Sequence, residues 1–499
     1  METIAIIHIC SDSVKMIQIK LNKNNAYNLV EEYTEAIKMT EHLDSNGNIL
    51  SNNISSLINI LKNYKTICDS KKISRIITIA GDALRSATNC DIIVDLIQKR
   101  IDLDIQVINR EKEAYYNYLS VSAFTGYENA LIMGLVGNQL QLIRMKNRKQ
   151  EAYFSVSVEA LDPKNFDPSF SEEQIRLEVA SILSTIPWLE DVQDLPVVSI
   201  GEFMEQMAKI SIIESSYPLD ILHGYTTSLE QIDDMYQKSG SSSPSQLKHW
   251  EGFFEHNRNS FRSQLFFVSE LMKALNKGSL CLCSKDVKYG VFYDYLLESK
   301  ILIIRSPLMH SIENILKIME LDALHAFQIR WLSMEIFMNL KPYLDMDDVS
   351  DIDLNNIVNT SALLHDSGII INYYNHHHHS FWVILNAPIC GLSHKELLMS
   401  AYTASFHRKN NSYVDFEKYS SLLTKKDISI IEKLGVILKL SESLDKRMDN
   451  VVKNIDFTIT DTEVIMDLSA STYPDMELRD AELLLSDFKR VIGKDLILK

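Results

Sequence analysis

The stretch LNNIVNTSALLHDSG, residues 354–368, decides how the second half of this chain folds. Leu354, Val358, Ala362 and His365 step by three or four residues, which places them on one face of a predicted helix. That face is apolar until its last member, an imidazole, and a carboxylate follows it at Asp366. Further out, the same arrangement occurs twice more. His325, 40 residues before His365, lines up with Ile329, Leu332 and Ile336. Asp445, 79 residues after Asp366, follows Ile431, Leu434, Leu438 and Ser441. A single inward His is usually a satisfied core residue, and an Asp late in a helix can bond locally. An ionised Asp facing a core is costly unless something pairs with it. Two His and two Asp in this order, converging between helices, point to a divalent metal as the pairing group.

Composition narrows the classes. A length of 499 residues predicts about three domains. Hydrophobic content of 46% with 23% charged residues is that of a globular protein with sizeable cores. The formal net charge of −17 argues against broad binding to nucleic acid or to an anionic membrane. An anionic substrate would need a local cluster of Lys, Arg or metal. None of the six Cys form a C-x-x-C pair, and Cys281 and Cys283 read as strand residues. Met1 leads into an Ile-rich strand and no apolar run reaches transmembrane length, so a cytoplasmic protein with reduced thiols is expected.

Strands and helices alternate through the first 305 residues, the pattern of an α/β protein. Thr3–Ile9 and Val14–Ile19 predict a hairpin, Asn53–Tyr64 a helix, and Arg75–Ala80 a strand turning at Gly81-Asp82 into a helix through Arg85. A helix at Cys90–Arg100, a strand at Ile105–Ile108 and a helix at Glu111–Ser120 follow, then a hairpin from Ala130–Met133 and Gln139–Arg144. Pro196–Ile200 predicts another strand, and Ser239–Pro244 a flexible loop. The pattern is helical from about 308 to 447, and no repeat of fixed period is present. The last stretch reads as strands at Ile455–Ile459 and Glu463–Leu468, a helix at Asp480–Ile492 and a strand at Leu496–Leu498. The expected domains are α/β lobes over 1–125 and 126–305, an all-α domain over 306–450 and a small α+β cap over 451–499.

Several segments carry a family likeness. The H, HD, D order of His325, His365-Asp366 and Asp445 resembles the HD superfamily of metal-dependent phosphohydrolases. Ile79–Asn89 resembles the "ATSALRxAxN" segment of the exopolyphosphatase/guanosine-pentaphosphate phosphatase family, Val107–Ala114 its "VISGxEEA", and Tyr217–Tyr225 its "YPLxxLHGY". Further on, Ser361–Gly368 is similar to "AALLHDIG", His376–Ser380 to "HHKHS", Phe406–Lys409 to "YHRK" and Lys439–Asp445 to "RLADALD". The resemblance spans nearly the whole chain. It implies two actin-like (ribonuclease H-like) lobes, followed by a helical HD-type domain and the cap. It also implies Glu113 as the residue activating water at the N-terminal cleft, with Arg85, Ser11, Ser13 and Gly137 on the substrate.

The departures from that family pattern fall on the phosphate loops. "DxGSNS" is His8-Ile9-Cys10-Ser11-Asp12-Ser13 here, and "DIGGGSTE" is Gly134-Leu135-Val136-Gly137-Asn138-Gln139-Leu140-Gln141. Gly lets backbone N–H groups converge on an anion, which Val136 and Asn138 do not freely allow. Asp12 adds a negative charge where a phosphate would sit.

The run His376–His379 is flanked by Tyr373-Tyr374 and Phe381-Trp382. Neighbouring imidazoles lower each other's pKa and favour the neutral form that binds metal. His376, His377 and His379 fall on the histidines of "HHKHS", and the resemblance implies them as candidates for lining the metal cleft, with His407 and Arg408 on a phosphate. Three functions remain open at this point. One is a phosphohydrolase in which His325, His365, Asp366 and Asp445 hold Mg²⁺, Mn²⁺ or Fe²⁺ and Asp366 acts in catalysis. The second is an inactive binding or regulatory protein. The third is an exopolyphosphatase or guanosine-pentaphosphate phosphatase working through Glu113. The expected partner is a phosphorylated small molecule or polyphosphate, and a homodimer is left open.

Overall fold

The computed structural model describes residues 2–37, 39, 43–136, 138–161, 172–241, 250, 258–299, 306–344, 346, 353–408 and 415–499. They form two compact units, residues 1–307 and 308–499.

The first unit uses one strand plan twice. Strands β1 (Glu2–Ile9), β2 (Ser13–Leu21) and β3 (Tyr27–Ala36) form an antiparallel meander. The chain continues through helix α1 (Ser51–Ser70), β4 (Arg75–Ala80), α2 (Asp82–Arg85), α3 (Cys90–Ile101) and β5 (Gln106–Val107). β4 and β5 add in parallel, so the sheet order is β3-β2-β1-β4-β5. β1 lies in the middle and is apolar on both faces, as a central strand must be. Ala5, Ile7 and Ile9 pack with Leu57 and Leu61 of α1 and Ile93 and Ile97 of α3, and Ile4 and Ile6 are buried too.

Helix α4 (Arg110–Phe124) leads to the second meander, β6 (Ala130–Val136), β7 (Gln139–Lys146) and β8 (Lys149–Ser157). Then come α5 (Glu172–Ser184), β9 (Val197–Ile200), α6 (Glu202–Glu214), β10 (Thr226–Ser228), α7 (Leu229–Ser241), α8 (Arg258–Ala274) and β11 (Ser279–Leu282). The order here is β10-β11-β9-β6-β7-β8, with β9 and β11 parallel to β6. Helix α9 (Val287–Glu298) then packs on α4 and β1. Lys112 of α4 pairs with Asp294 at 3.0 Å, and Tyr27 meets Phe292 edge to face with ring centroids 5.0 Å apart. The expected loop at Ser239–Pro244 is helical in α7 as far as Ser241, and Ser242–Pro244 lie outside the described residues.

The second unit is helical first: α10 (Pro307–Ile318), α11 (Ala323–Leu340), α12 (Leu354–Leu364), α13 (His376–Asn386), α14 (His394–Ser405) and α15 (Lys425–Ser443). Among its described residues up to 450 there is no strand. The helix starts are written in the sequence. Asp322 and Asp353 cap α11 and α12, and Ser393 with Glu396 and Thr424 with Asp427 form capping boxes on α14 and α15. Strands β12 (Val452–Ile459), β13 (Glu463–Ala470) and β14 (Asp495–Leu498) make a three-stranded sheet. The single helix expected at Asp480–Ile492 is two, α16 (Asp475–Glu482) and α17 (Leu485–Ile492).

Candidate functional site

Five helices of the second unit bring four imidazoles and two carboxylates together. His325 sits in the first turn of α11, where its N–H donates to the cap Asp322 at 3.1 Å. His365 caps the C-terminal end of α12, and Asp366 precedes a short 3-10 turn at Ser367–Ile370. His376 opens α13, and His407 lies just beyond α14. Gly368 makes the close approach of the 3-10 turn to α13 feasible, since a Cβ there would lie 2.1 Å from the His376 carbonyl oxygen.

Each imidazole spends its Nδ1 proton away from the cluster. His325 Nδ1 donates to Asp445 Oδ2 at 2.8 Å, His365 Nδ1 to the Ala362 carbonyl at 2.8 Å, His376 Nδ1 to the Tyr373 carbonyl at 2.8 Å and His407 Nδ1 to the Ala404 carbonyl at 2.6 Å. These partners are acceptors only, so the assignment of the proton to Nδ1 follows. All four Nε2 atoms then point inward. Those of His325 and His365 lie 3.9 and 3.6 Å from Asp366 Oδ2, and those of His376 and His407 lie 3.0 and 3.7 Å from Asp366 Oδ1. Ligand atoms of His325, His365 and Asp366 are all within 4.8 Å of one another, and so are those of Asp366, His376 and His407.

Acceptors therefore face acceptors. His376 Nε2 and His407 Nε2 are 2.9 Å apart, and Asp366 Oδ1 is buried without a hydrogen bond. With no ion bound, protons on the imidazoles nearest Glu442 supply the positive charge that balances the two carboxylates. Burial alone would lower the His325 pKa, but bonds to Asp445 and Glu442 overcome it and push it up to about 10. Burial and the neighbouring His365 bring His407 down to about 3. The Asp366 carboxyl is raised by burial, yet the surrounding imidazoles outweigh this and hold it well below the usual range.

Of the four residues singled out first, the structure brings three together. Asp445 lies behind His325, bonded to its Nδ1 and accepting the Asn450 N–H at 2.9 Å, and it does not join the cluster. The carboxylate on the inner side is Glu442, with Oε2 3.2 Å from His325 Nε2 and 3.1 Å from His365 Nε2. Glu442 escaped the periodicity reading, although it stands at the first acidic position of the stretch similar to "RLADALD". Arg408 reaches Glu442 Oε1 at 3.5 Å. His377 is buried beside His376 and His407 with ring centroids 6.1 Å from each, and His379 is half-buried on α13 near Gly368.

The N-terminal residues have a different setting. Glu113 is paired with Arg85 at 3.0 Å, and Arg85 also donates to the Ile108 carbonyl and meets Asp82 at 3.0 Å. Burial raises the Glu113 pKa, partly offset by Arg85. In the β1–β2 turn the Cys10 N–H donates to the Ser13 carbonyl at 2.8 Å, and the Ser13 hydroxyl to Asp12 at 3.3 Å. Ser11 sits in that turn, its carbonyl accepting the Met39 N–H at 2.9 Å. Gly137 lies outside the described residues. His8 contacts Cys10 Sγ at 3.3 Å; burial lowers the imidazole to about 4 and pushes the thiol up to about 12. Lys15 of β2 pairs with Glu202 of α6 at 2.9 Å, which ties the first meander to the second sheet's helix. Lys288 pairs with Asp286.

Sequence and fold comparisons agree on what class of protein carries these sites. A model of the Ppx/GppA phosphatase family matches residues 18–299, and a model of Ppx/GppA phosphatase domain III matches residues 308–490. The chain belongs to the Ppx/GppA phosphatase family. A crystal structure of the Aquifex aeolicus member of that family is 19% identical and superposes with a TM-score of 0.51, covering 60% of this chain and 98% of that one. An exopolyphosphatase from Cytophaga hutchinsonii is 15% identical with a TM-score of 0.54, covering 60% of this chain and 99% of that one. At these identities the likeness establishes the fold of the part it covers, the actin-like α/β lobes. No helix among the described residues is long and apolar enough to cross a membrane.

Proposed function

We propose that this protein is a metal-dependent phosphohydrolase whose working centre is the cluster around Asp366. The observation that carries the proposal is the orientation of the four imidazoles. With every Nδ1 proton committed elsewhere, the four Nε2 atoms face both oxygens of one half-buried carboxylate, and a metal ion would take the place of the proton that His325 holds there. A donor set this rich in imidazole fits Fe²⁺, and through its carboxylate Mn²⁺, whereas Mg²⁺, which takes oxygen ligands, fits it poorly. The contact of 2.9 Å between His376 Nε2 and His407 Nε2 is repulsive without a cation or a proton and ordinary between two ligands of one ion. A bound divalent ion would lower the pKa of a coordinated water and polarise a phosphoryl oxygen.

The chain's own residues divide the remaining work. Asp366 offers one oxygen to His325 and His365 and the other to His376 and His407, so it can serve both groups at once. Asp445 fixes the His325 ring with Nε2 inward, a positioning role. Arg408 supplies positive charge for a phosphate beside the cluster. At the N-terminal cleft Glu113 is occupied by Arg85, and the turn amide of Cys10 is spent on Ser13. Removing such donors costs about a hundred- to a thousandfold each, so the proposal places no phosphate release there.

The test is metal analysis of the purified chain with a phosphate-release panel of polyphosphate, guanosine penta- and tetraphosphate and nucleotides. Metal-dependent release that is lost in Asp366→Ala and kept in Glu113→Ala is expected. Release that collapses in Glu113→Ala and survives Asp366→Ala would assign the activity to the N-terminal cleft. Absence of both metal and activity would leave a binding protein.

A further inference from the structure

We infer that the C-terminal cap positions the His325–Asp445 pair, through a buried contact between Glu477 and Arg447. The inference deepens the proposed metal centre and rests on it for the effect on metal: it names what sets the orientation of one of its imidazoles. It starts from a carboxylate that the cluster does not use. Glu477 lies in the first turn of α16 and is fully buried. Its Oε1 accepts the Arg447 backbone N–H at 3.2 Å and Arg447 Nε at 3.1 Å, and its Oε2 has no hydrogen bond. Asp449 lies further from the same Nε, at 3.8 Å. Beside this contact Lys446 reaches Asp480, one turn on in α16, at 3.1 Å. A buried carboxylate is costly, and an apolar pair of similar volume would pack as well. The best-attested use of such a pair is to fix one geometry among several.

The geometry at stake is the turn that follows α15. Asp445 opens it, Arg447 stands inside it and Asn450 ends it. Met448 and Asn450 are both left-handed, with φ of 55° and 54°. That conformation is unfavourable for a residue with a long side chain such as Met448, and it persists only where the surroundings hold it. The turn returns the Asn450 N–H to Asp445 Oδ1 at 2.9 Å, while Asp445 Oδ2 takes the His325 Nδ1 proton at 2.8 Å. One carboxylate is thus gripped by the turn and grips the ring. Arg447 stands between Asp445 and Asn450, so the Glu477 contact fixes the middle of a loop whose two ends hold that carboxylate. With the middle released, the turn can relax toward ordinary backbone angles. The Asn450 N–H then leaves Asp445, and the His325 ring is free to swing its Nε2 away from Asp366.

The experiment uses the full chain and two readouts. Glu477→Met removes the acceptor at similar volume. Arg447→Met/Glu477→Met does the same without leaving the Arg447 charge unpaired, and it carries the test should the single variant fail to fold. Glu477→Gln keeps an oxygen for both bonds and should restore both readouts. In the metal-free chain with isotope-labelled histidine, NMR should show the His325 Nδ1 proton exchanging with water faster in the Met variants. Mn²⁺ affinity, measured by calorimetry, should fall by up to the about 10- to 100-fold expected on losing a group that orients a ligand. Adding Asp445→Asn should bring no further loss than Asp445→Asn alone, because the contact acts through that carboxylate. A lower Tm with proton exchange and Mn²⁺ affinity unchanged would overturn the inference, since Glu477 would then only hold the cap in place. So would a loss in Glu477→Gln as large as in the Met variants, or losses that add to that of Asp445→Asn. A wild type that binds no Mn²⁺ sinks the metal reading alone. Exchange of the His325 proton then decides this inference: faster in the Met variants upholds it, and unchanged overturns it.

Discussion

Asp445→Asn and Glu442→Gln, compared side by side, test how the proposed metal centre is built. Among the cluster's imidazoles Asp445 meets only Nδ1 of His325, whereas Glu442 faces Nε2 of both His325 and His365. If Asp445 only orients its histidine, losing its charge should weaken metal binding about 10- to 100-fold. At a free Mn²⁺ concentration 100 times the wild-type Kd, binding stabilises the folded unit by about 2.7 kcal/mol. The unit spans Leu308–Lys499, and a unit of that size gains about 2–4 °C in Tm per kcal/mol. The wild type should therefore melt about 5–11 °C higher with metal than after chelation. In Asp445→Asn the same Mn²⁺ would supply about 0.4–1.4 kcal/mol, so the increment falls to about 1–6 °C. Glu442→Gln removes a carboxylate from the inner side and should leave almost no increment. Each variant is compared with its own chelated form by scanning calorimetry, which separates metal effects from packing effects. The reasoning is refuted if Asp445→Asn loses the whole increment while Glu442→Gln keeps it, because Asp445 would then be the ligand.

Two other outcomes follow from single residues. Burial holds His8 neutral with a pKa near 4, against 6.5 for an unperturbed imidazole, so the unfolded chain binds the extra proton between those values. The first unit should lose about 3 kcal/mol as pH falls from 6.5 to 4, with no further loss from this group below, and His8→Gln should flatten that slope in urea denaturation. In Gly368→Ala the new Cβ would sit 2.1 Å from the His376 carbonyl oxygen and 2.5 Å from the Ser380 nitrogen. Overpacking of this kind costs about 1–3 kcal/mol, and the start of α13 must move away from Asp366. A lower Tm together with reduced metal content by native mass spectrometry is expected, and full metal content at an unchanged Tm would contradict it.

What the sequence made legible depended on burial. β1 and β6 are continuous apolar runs because both faces of a central strand are covered, and both were readable. β3, YNLVEEYTEA, lies at the sheet edge with most residues half-buried or exposed, and it gives no alternation to find. The repeated strand plan of the two sheets left no trace at the level of fixed-period repeats, since topology constrains burial rather than residue identity. His325, His365 and Asp366 were legible because an apolar stripe ending in a titratable group is expensive to bury. The choice between Glu442 and Asp445 was not. They are three residues apart and share a helical face, but α15 ends at Ser443, so Asp445 leaves the helix and reaches His325 from behind. The split between α16 and α17 at Leu483-Leu484 has no Gly or Pro to announce it.

The strongest reason to seek chemistry in the second unit is the balance of charges inside the protein. In the N-terminal cleft three carboxylates have cations at hand: Glu113 has Arg85, Glu202 has Lys15 and Asp286 has Lys288, while burial raises the pKa values of Asp12 and Glu205. Those pairs satisfy one another, and Lys288 and Lys15 hold the Asp286 carboxyl down near 2 despite its burial. A phosphate entering there would have to displace carboxylates from their lysines, in a chain whose net charge is already −17. Around Asp366 the position is reversed. Asp366 and Glu442 face imidazole Nε2 atoms, and Arg408 reaches only the other oxygen of Glu442, at 3.5 Å. In the first region the available cations are already taken, whereas the second gains from a bound cation, and a bound cation there is also what would let so acidic a protein hold a phosphorylated ligand.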